Sequence, residues 1–310
     1  MKHWTSLAAR LRRLALLGCL LALPLASLGA EQRTFPTPEA AVDALIAALK
    51  SNDQPALVAI VGDKHKNLVV TGDAAHDAAK RAEAAALLAT FHSLDDSAAD
   101  RRVLLMGEYA WPFPIPLVRQ GTAWRFATEE GVEEIANRRI GGNERNAIKV
   151  LRAYVDAQRA YAARDRDGDG VLQYARKLAS TPGRFDGLYW PANAAKGEEP
   201  SPFGPLIAQS AAYLAGHGNG DAYRGYHFRI LTRQGTSAPG GAYNYLINGR
   251  LIAGFAMVAY PSGYGDSGVM TFVINHNGKV FENDLGKNTR PVAEKMAAFD
   301  PGPGWKATSP

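Results

Sequence analysis

The chain has 310 residues, 35 of them Lys or Arg and 30 Asp or Glu, for a formal net charge of +5. Four of the basic residues (Lys2, Arg10, Arg12 and Arg13) and none of the acidic ones lie in the first 30 positions, so residues 31–310 carry 31 basic against 30 acidic groups, a balance of +1. That balance leaves no electrostatic footprint for a nucleic acid. Cys19 is the single cysteine, so residues 31–310 have neither a disulfide nor thiol chemistry.

The first 30 residues read as a secretory leader. A positive segment precedes the uncharged run 14–30, and Ser27 and Gly29, or Leu28 and Ala30, offer small residues before Glu31. The run is too short and wrongly flanked for a stable membrane span, so the expectation is an exported, periplasmic or extracellular protein with no transmembrane segment in its mature chain. About 280 remaining residues can bury a sizeable core, as one large or two smaller domains.

Thr37, Pro38 and Glu39 predict a helix start: a hydroxyl cap, a proline in the first turn and a carboxylate at the positive end. Ala41, Leu45, Ile46 and Leu49 then share one helical face. Asp53 is placed to cap a short second helix through residue 60, and residues 79–94 are alanine-rich and helical in propensity. Residues 103–105 and a hairpin of 115–118 with 123–127, turning at Gln120 and Gly121, read as strands, with Trp124 and Phe126 alternating with polar neighbours. These elements suggest a small α+β module over 31–140, with Gly141 and Gly142 marking a boundary.

Beyond the glycine pair, Ile148, Leu151, Val155 and Tyr161, with Tyr154 and Gln158, predict an amphipathic helix of roughly five turns. It runs into Asp165-Arg166-Asp167-Gly168-Asp169-Gly170. Residues 180–205 are rich in Pro, Gly and Asn and read as irregular, and a short helix is expected over 206–214. Strands are expected over 226–232, 251–260, 269–275 and 279–283, the last two joined at Asn277-Gly278, a strong hairpin signal. The fold class is α+β: a small helix-plus-hairpin module, then a long helix packed on an antiparallel sheet over 143–310.

The span 143–174, together with YHFRILTRQG (226–235), AYPSGYGDSGVMTFVINHNGKV (259–280) and DLGKNT (284–289), resembles the bacterial family called domain of unknown function, number 2950. The resemblance covers nearly all of residues 31–310 and implies no catalytic residue. The second half also resembles the globular part of type IV pilins and pseudopilins, which pair a helix with an antiparallel sheet. It departs from them in having its helix internal and no prepilin-type cleavage motif, so this resemblance implies the fold and not assembly into a pilus.

The aspartate run carries the most specific chemistry. Calcium takes about six to eight oxygens, and carboxylates at alternate positions converge when glycines let a loop curl. Asp165, Asp167 and Asp169 with Gly170 match the first six positions of an EF-hand loop. The twelfth position is Arg176, where a bidentate Glu would complete the shell, so Gln173, a backbone carbonyl or Asp186 would have to contribute. The other interpretation is a solvated polar turn that ends the helix. No further cofactor is indicated.

Gly265-Asp266-Ser267-Gly268 looks like the nucleophile segment of trypsin-type proteases, and Ala74-Ala75-His76 echoes their histidine segment. His76 sits in helix-prone sequence, and the glycine-rich stretch reads better as a turn between strands. His217, His227 and His276 lack metal-ligand spacing. Tyr213, Tyr223, Tyr226, Tyr243, Tyr245, Tyr260 and Tyr264 crowd one region. Six of them (Tyr223, Tyr226, Tyr243, Tyr245, Tyr260, Tyr264) are candidates for a binding face for a glycan or an envelope protein, against the simpler role of lining a sheet. The functional expectation is therefore a non-enzymatic envelope interaction module with a structural calcium loop. The alternative is an envelope hydrolase acting on peptidoglycan or another glycan through paired carboxylates drawn from Asp186, Asp221, Asp266 and Asp284.

Overall fold

The computed structural model describes residues 31–72, 74–96, 98–192, 194–204 and 222–308. The expected leader, the helix over 206–214, Tyr213, His217 and Asp221 lie outside them. The chain divides into two compact units, Met1–Val132 and Glu133–Pro310.

The first unit opens with three helices, α1 (Pro38–Lys50), α2 (Gln54–Val61) and α3 (Ala74–Thr90). Thr37 Oγ1 accepts from the Ala40 amide at 3.1 Å and Asp53 Oδ1 from the Ala56 amide at 3.0 Å, so both expected caps form. Strands β1 (His92–Asp95), β2 (Arg101–Met106), β3 (Trp111–Pro112), β4 (Leu117–Gln120) and β5 (Ala123–Phe126) follow, in the order β1-β2-β4-β5 with β3 on β2, all antiparallel. Two details differ from expectation. The alanine-rich helix stops at Thr90, because residues 92–95 pair with β2, Leu94 opposite Leu104. The β4 strand begins at Leu117 rather than 115, since Pro114 and Pro116 have no amide to donate to a ladder. Ala41, Leu45, Leu57, Ile60, Leu104, Leu117 and Phe126 form this unit's core.

Helix α4 (Thr128–Ala162) is 35 residues long and runs unbroken through Gly141 and Gly142. The glycine pair is thus not a break. Each glycine costs roughly 1 kcal/mol against alanine in a helix interior, and the surrounding helix formers and the Glu134–Arg138 pair at 2.7 Å carry the helix across.

In the second unit the main sheet has five antiparallel strands, running in space from Lys306–Ala307 through Phe281–Asp284, Met270–Asn275 and Ala256–Pro261 to Tyr226–Leu231. They are β6 (Tyr226–Leu231), β11 (Ala256–Pro261), β12 (Met270–Asn275), β13 (Phe281–Asp284) and β14 (Lys306–Ala307). Two ribbons, β7 (Arg233–Gln234) with β8 (Tyr243–Asn244) and β9 (Leu246–Ile247) with β10 (Arg250–Leu251), flank it, and helix α5 (Thr289–Lys295) follows β13. Asn277 and Gly278 make the β12–β13 turn as expected. The expected strand 251–260 splits into β10 and β11. All six residues of β11 are buried, so both sheet faces are covered. On the Phe255–Met257 face lie Leu151, Tyr154 and Val155 of α4, with Tyr154 edge-on to Phe255 at 5.4 Å. On the other face Arg229 donates to Ala293 O of α5 at 2.7 Å, and Phe281 packs on Phe299 at 5.9 Å. Residues 180–204 are irregular, as composition suggested, yet Leu188, Tyr189, Trp190 and Phe203 enter the core. No helix among the described residues is long and apolar enough to cross a membrane.

Gln158 holds the chain that leaves α4. It is fully buried, donates to Tyr154 Oη at 3.0 Å and to Ala175 O at 2.8 Å, and accepts from the Ala175 amide at 2.8 Å. Gln158→Ala orphans these groups and leaves a void. It is expected to cost about 3 kcal/mol in denaturant-induced unfolding, whereas a loss below about 1 kcal/mol would remove Gln158 as the clamp.

Candidate functional site

Three turns of α4 beyond Leu151 bring the chain to the aspartate loop. Gly168 (φ +74°) and Gly170 (φ +82°) take left-handed conformations that an L side chain resists, and this curls the loop back on Asp165. Asp165 accepts from the Gly168 amide at 2.9 Å and the Gly170 amide at 2.7 Å, and Asp169 from the Val171 amide at 2.9 Å. The Gly170 amide above all, with Gly168, holds the Asp165 carboxyl below its ordinary value. One oxygen each from Asp165, Asp167 and Asp169 fall within 4.8 Å of one another, and all three residues are exposed. Gln173 Nε2 donates to Asp167 at 2.7 Å, and the Arg250 guanidinium pairs with Asp169. Arg176, in the twelfth position, turns away to donate to Gly249 O at 2.9 Å. Asp186 stays outside the loop, bound by Lys177 Nζ at 2.7 Å and by the Thr181 amide and hydroxyl at 2.7 and 2.9 Å. Burial opposes its ionisation, but these donors outweigh it and pull its carboxyl down to about 2. The loop therefore gathers three carboxylate oxygens that could hold a hard cation, with Gln173 the one expected auxiliary group beside them.

The residue between the first two aspartates has its own role, which local sequence does not signal. The Arg166 side chain is only 8% exposed and lies over the rings of Tyr161 at 5.2 Å and Trp190 at 5.1 Å. It also donates to Tyr161 O at 3.3 Å and to Glu199 at 3.2 Å. Trp190 in turn donates to Glu199 O at 2.9 Å, and Phe185 packs edge-on against it at 4.8 Å. The loop is thereby anchored to a segment more than twenty positions away, which no spacing rule reveals.

The tyrosines do not make one face. Tyr226, Tyr245 and Tyr260 are buried: Tyr226 donates to Met270 O and Tyr245 to Gln234 Oε1, each at 2.8 Å, and Tyr260 stacks on His227 at 5.3 Å. Tyr223 is half-buried against Phe228. Tyr243 and Tyr264 keep about a third of their surface in solvent, Tyr243 edge-on to Tyr245 at 5.4 Å and Tyr264 donating to Asp284 at 3.2 Å. Sheet lining thus accounts for the buried rings. Ser267 Oγ is engaged inside its own turn, accepting from the Gly263 amide at 3.0 Å, and Asp266 pairs with Arg139. Asp186, Asp266 and Asp284 each have separate partners.

The largest exposed rings lie in the first unit instead. Tyr109 is 78% and Trp111 63% exposed, and neither has a ring or cation contact among the described residues. Between them Ala110 sits at φ +50°, a strained setting for a residue with a Cβ. The Gly107 amide donates to Phe91 O at 2.9 Å and Leu87 lies against Gly107, so the exposed Leu87 and Phe91 adjoin the same turn. The signal in the sequence is two aromatics astride a tight turn, whereas Leu87 on α3 and Phe91 just past it reach that turn from an earlier stretch of chain.

Replacing Arg166 by Lys keeps the charge and removes the planar group that fits between two rings. It is expected to destabilise the protein by ~1–2 kcal/mol, read from the unfolding midpoint. A midpoint equal to the parent's would mean charge alone suffices.

No curated protein and no solved structure matches the chain. The family model described as "protein of unknown function (DUF2950)" matches residues 32–308, and the chain belongs to that family.

Proposed function

We propose that the protein is exported to the cell envelope and acts there by binding, with a glycan or an envelope protein as partner. The observation that carries this reading is the exposure of Tyr109 and Trp111, two large rings that stand in solvent on a strained turn. Aromatic side chains supply much contact area at low entropic cost and dominate binding hot spots. The leader-like residues 1–30 support export. The helix on an antiparallel sheet supports a pilin-like architecture for the second unit, with α4 internal to the chain.

Purified protein is expected to cosediment with isolated envelope material. Tyr109→Ser with Trp111→Ser should lower retention at least ~10-fold at an unchanged melting temperature. Purified sacculi and protease-treated envelopes, tested in parallel, distinguish a glycan from a protein partner. Equal retention of parent and double variant would overturn the reading.

The aspartate loop is proposed as a calcium brace for the corner after α4, on the convergence of three carboxylates within 4.8 Å. A ligand held only by the folded state adds ~2.7 kcal/mol at a hundredfold excess over its Kd. Millimolar calcium after chelation should therefore raise the melting temperature by several degrees, and Asp167→Ala should abolish the shift. An identical melt with chelator and with calcium would reduce the loop to a polar turn.

A further inference from the structure

The corner where β12 ends against α4 holds a buried nitrogen with no partner. His276 is half-buried, its backbone amide donates to Phe255 O at 3.0 Å, and its carbonyl accepts from Arg159 of α4 at 3.2 Å. Its Nδ1 is shielded from solvent and meets no hydrogen-bonding group among the described residues. The ring is edge-on to Tyr245 at 5.6 Å and to Phe255 at 6.1 Å. Gly254 (φ +153°) closes the fourth side: a Cβ there would stand 2.7 Å from Nδ1 and 2.9 Å from the Tyr245 ring. Tyr245 O in turn accepts from the Ile252 and Ala253 amides, both at 3.1 Å, so the same corner fixes the path from β9 to β11.

We propose that His276 is an acid-sensitive latch: its neutral ring, protonated on Nε2 alone, closes the corner between α4, Tyr245 and Gly254, and a second proton on Nδ1 opens it. That proton would create a buried N–H facing two aromatic rings and the Gly254 backbone, with no hydrogen bond in place and the Phe255 carbonyl as the acceptor nearby. The charged group facing the ring is Arg159, whose own carboxylate partner is Asp156 at 3.9 Å on the same helix. Tyr245 stays neutral, its phenol pushed up to about 12 chiefly by burial, and Phe255 and Gly254 bring no charge. Burial first, and Arg159 with it, lower the imidazole's affinity for the proton, and the Phe255 carbonyl offsets them only in part. Because the folded state resists the proton, the unfolded chain takes it first. Stability is complete above the unfolded value of about 6.5 and is lost as pH falls below it toward the lower folded value. The latch stands independently of the binding and calcium readings.

The test is a pH series of melts on the purified protein and on His276→Gln, with hydrogen exchange of the peptides covering 243–256 and 274–280. The parent's melting temperature is expected to drop by several degrees between pH of about 6.5 and 5. Its exchange, corrected for intrinsic rates, should rise in those two peptides, and both effects should shrink in His276→Gln. An equal pH slope in the variant, or acid-induced exchange located elsewhere, would overturn the latch. Titration of the parent's His276 ring by NMR decides independently if the variant fails to fold. A midpoint below the ordinary histidine value supports the latch, and one at or above it sinks it.

Discussion

Burial of strand β11 on both faces is the constraint from which the second unit follows. Six consecutive buried residues from Ala256 to Pro261 need apolar cover above and below. The stripe of Leu151, Tyr154 and Val155 on α4 supplies one side, and α5 with Phe299 supplies the other. The cover is not purely apolar. Arg229 Nε and Thr271 Oγ1, on strands flanking β11, are buried without a partner among the described residues, a cost that the surrounding packing must offset. The same demand for filling explains why Tyr226 and Tyr245 sit inside with bonded hydroxyls: each brings a large ring to the core and needs one acceptor there.

The aspartate loop inherits its place from that packing. Gln158 is buried because α4 lies on the sheet, and its amide binds the backbone of Ala175 just past the loop. Arg166 ties the loop's other side to Trp190 and Glu199. Two anchors of different chemistry, an amide clamp and a cation between rings, leave the three carboxylates converged at the surface. The like charges are relieved by backbone amides at Asp165 and by Arg250 at Asp169.

Local sequence signals match the structure where the physics is local. Thr37 and Asp53 cap helices because the groups they satisfy lie three residues away. Asn277-Gly278 forms its turn because the pair tolerates the required backbone angles. The helical stripe from Ile148 to Tyr161 and the curl of the aspartate loop follow from periodicity and glycine placement in the same way. Where pairing with a distant strand competes, propensity loses: residues 92–95 leave an alanine-rich helix for β2. Gly141 and Gly142 lie inside α4, where their penalty is small against the cooperativity of a 35-residue helix.

The α+β class, the helix caps, the closing hairpin and the three carboxylates are legible in the residues alone, because each depends on neighbours within a few positions or on a repeating period. Which rings are buried follows from the packed chain alone, since exposure depends on what another part of the chain lays over them. Packing moved Tyr226, Tyr245 and Tyr260 into the core and left Tyr109 and Trp111 outside. The cage around Arg166 and the sealed nitrogen of His276 are likewise tertiary, built from segments that meet only when the sheet is covered.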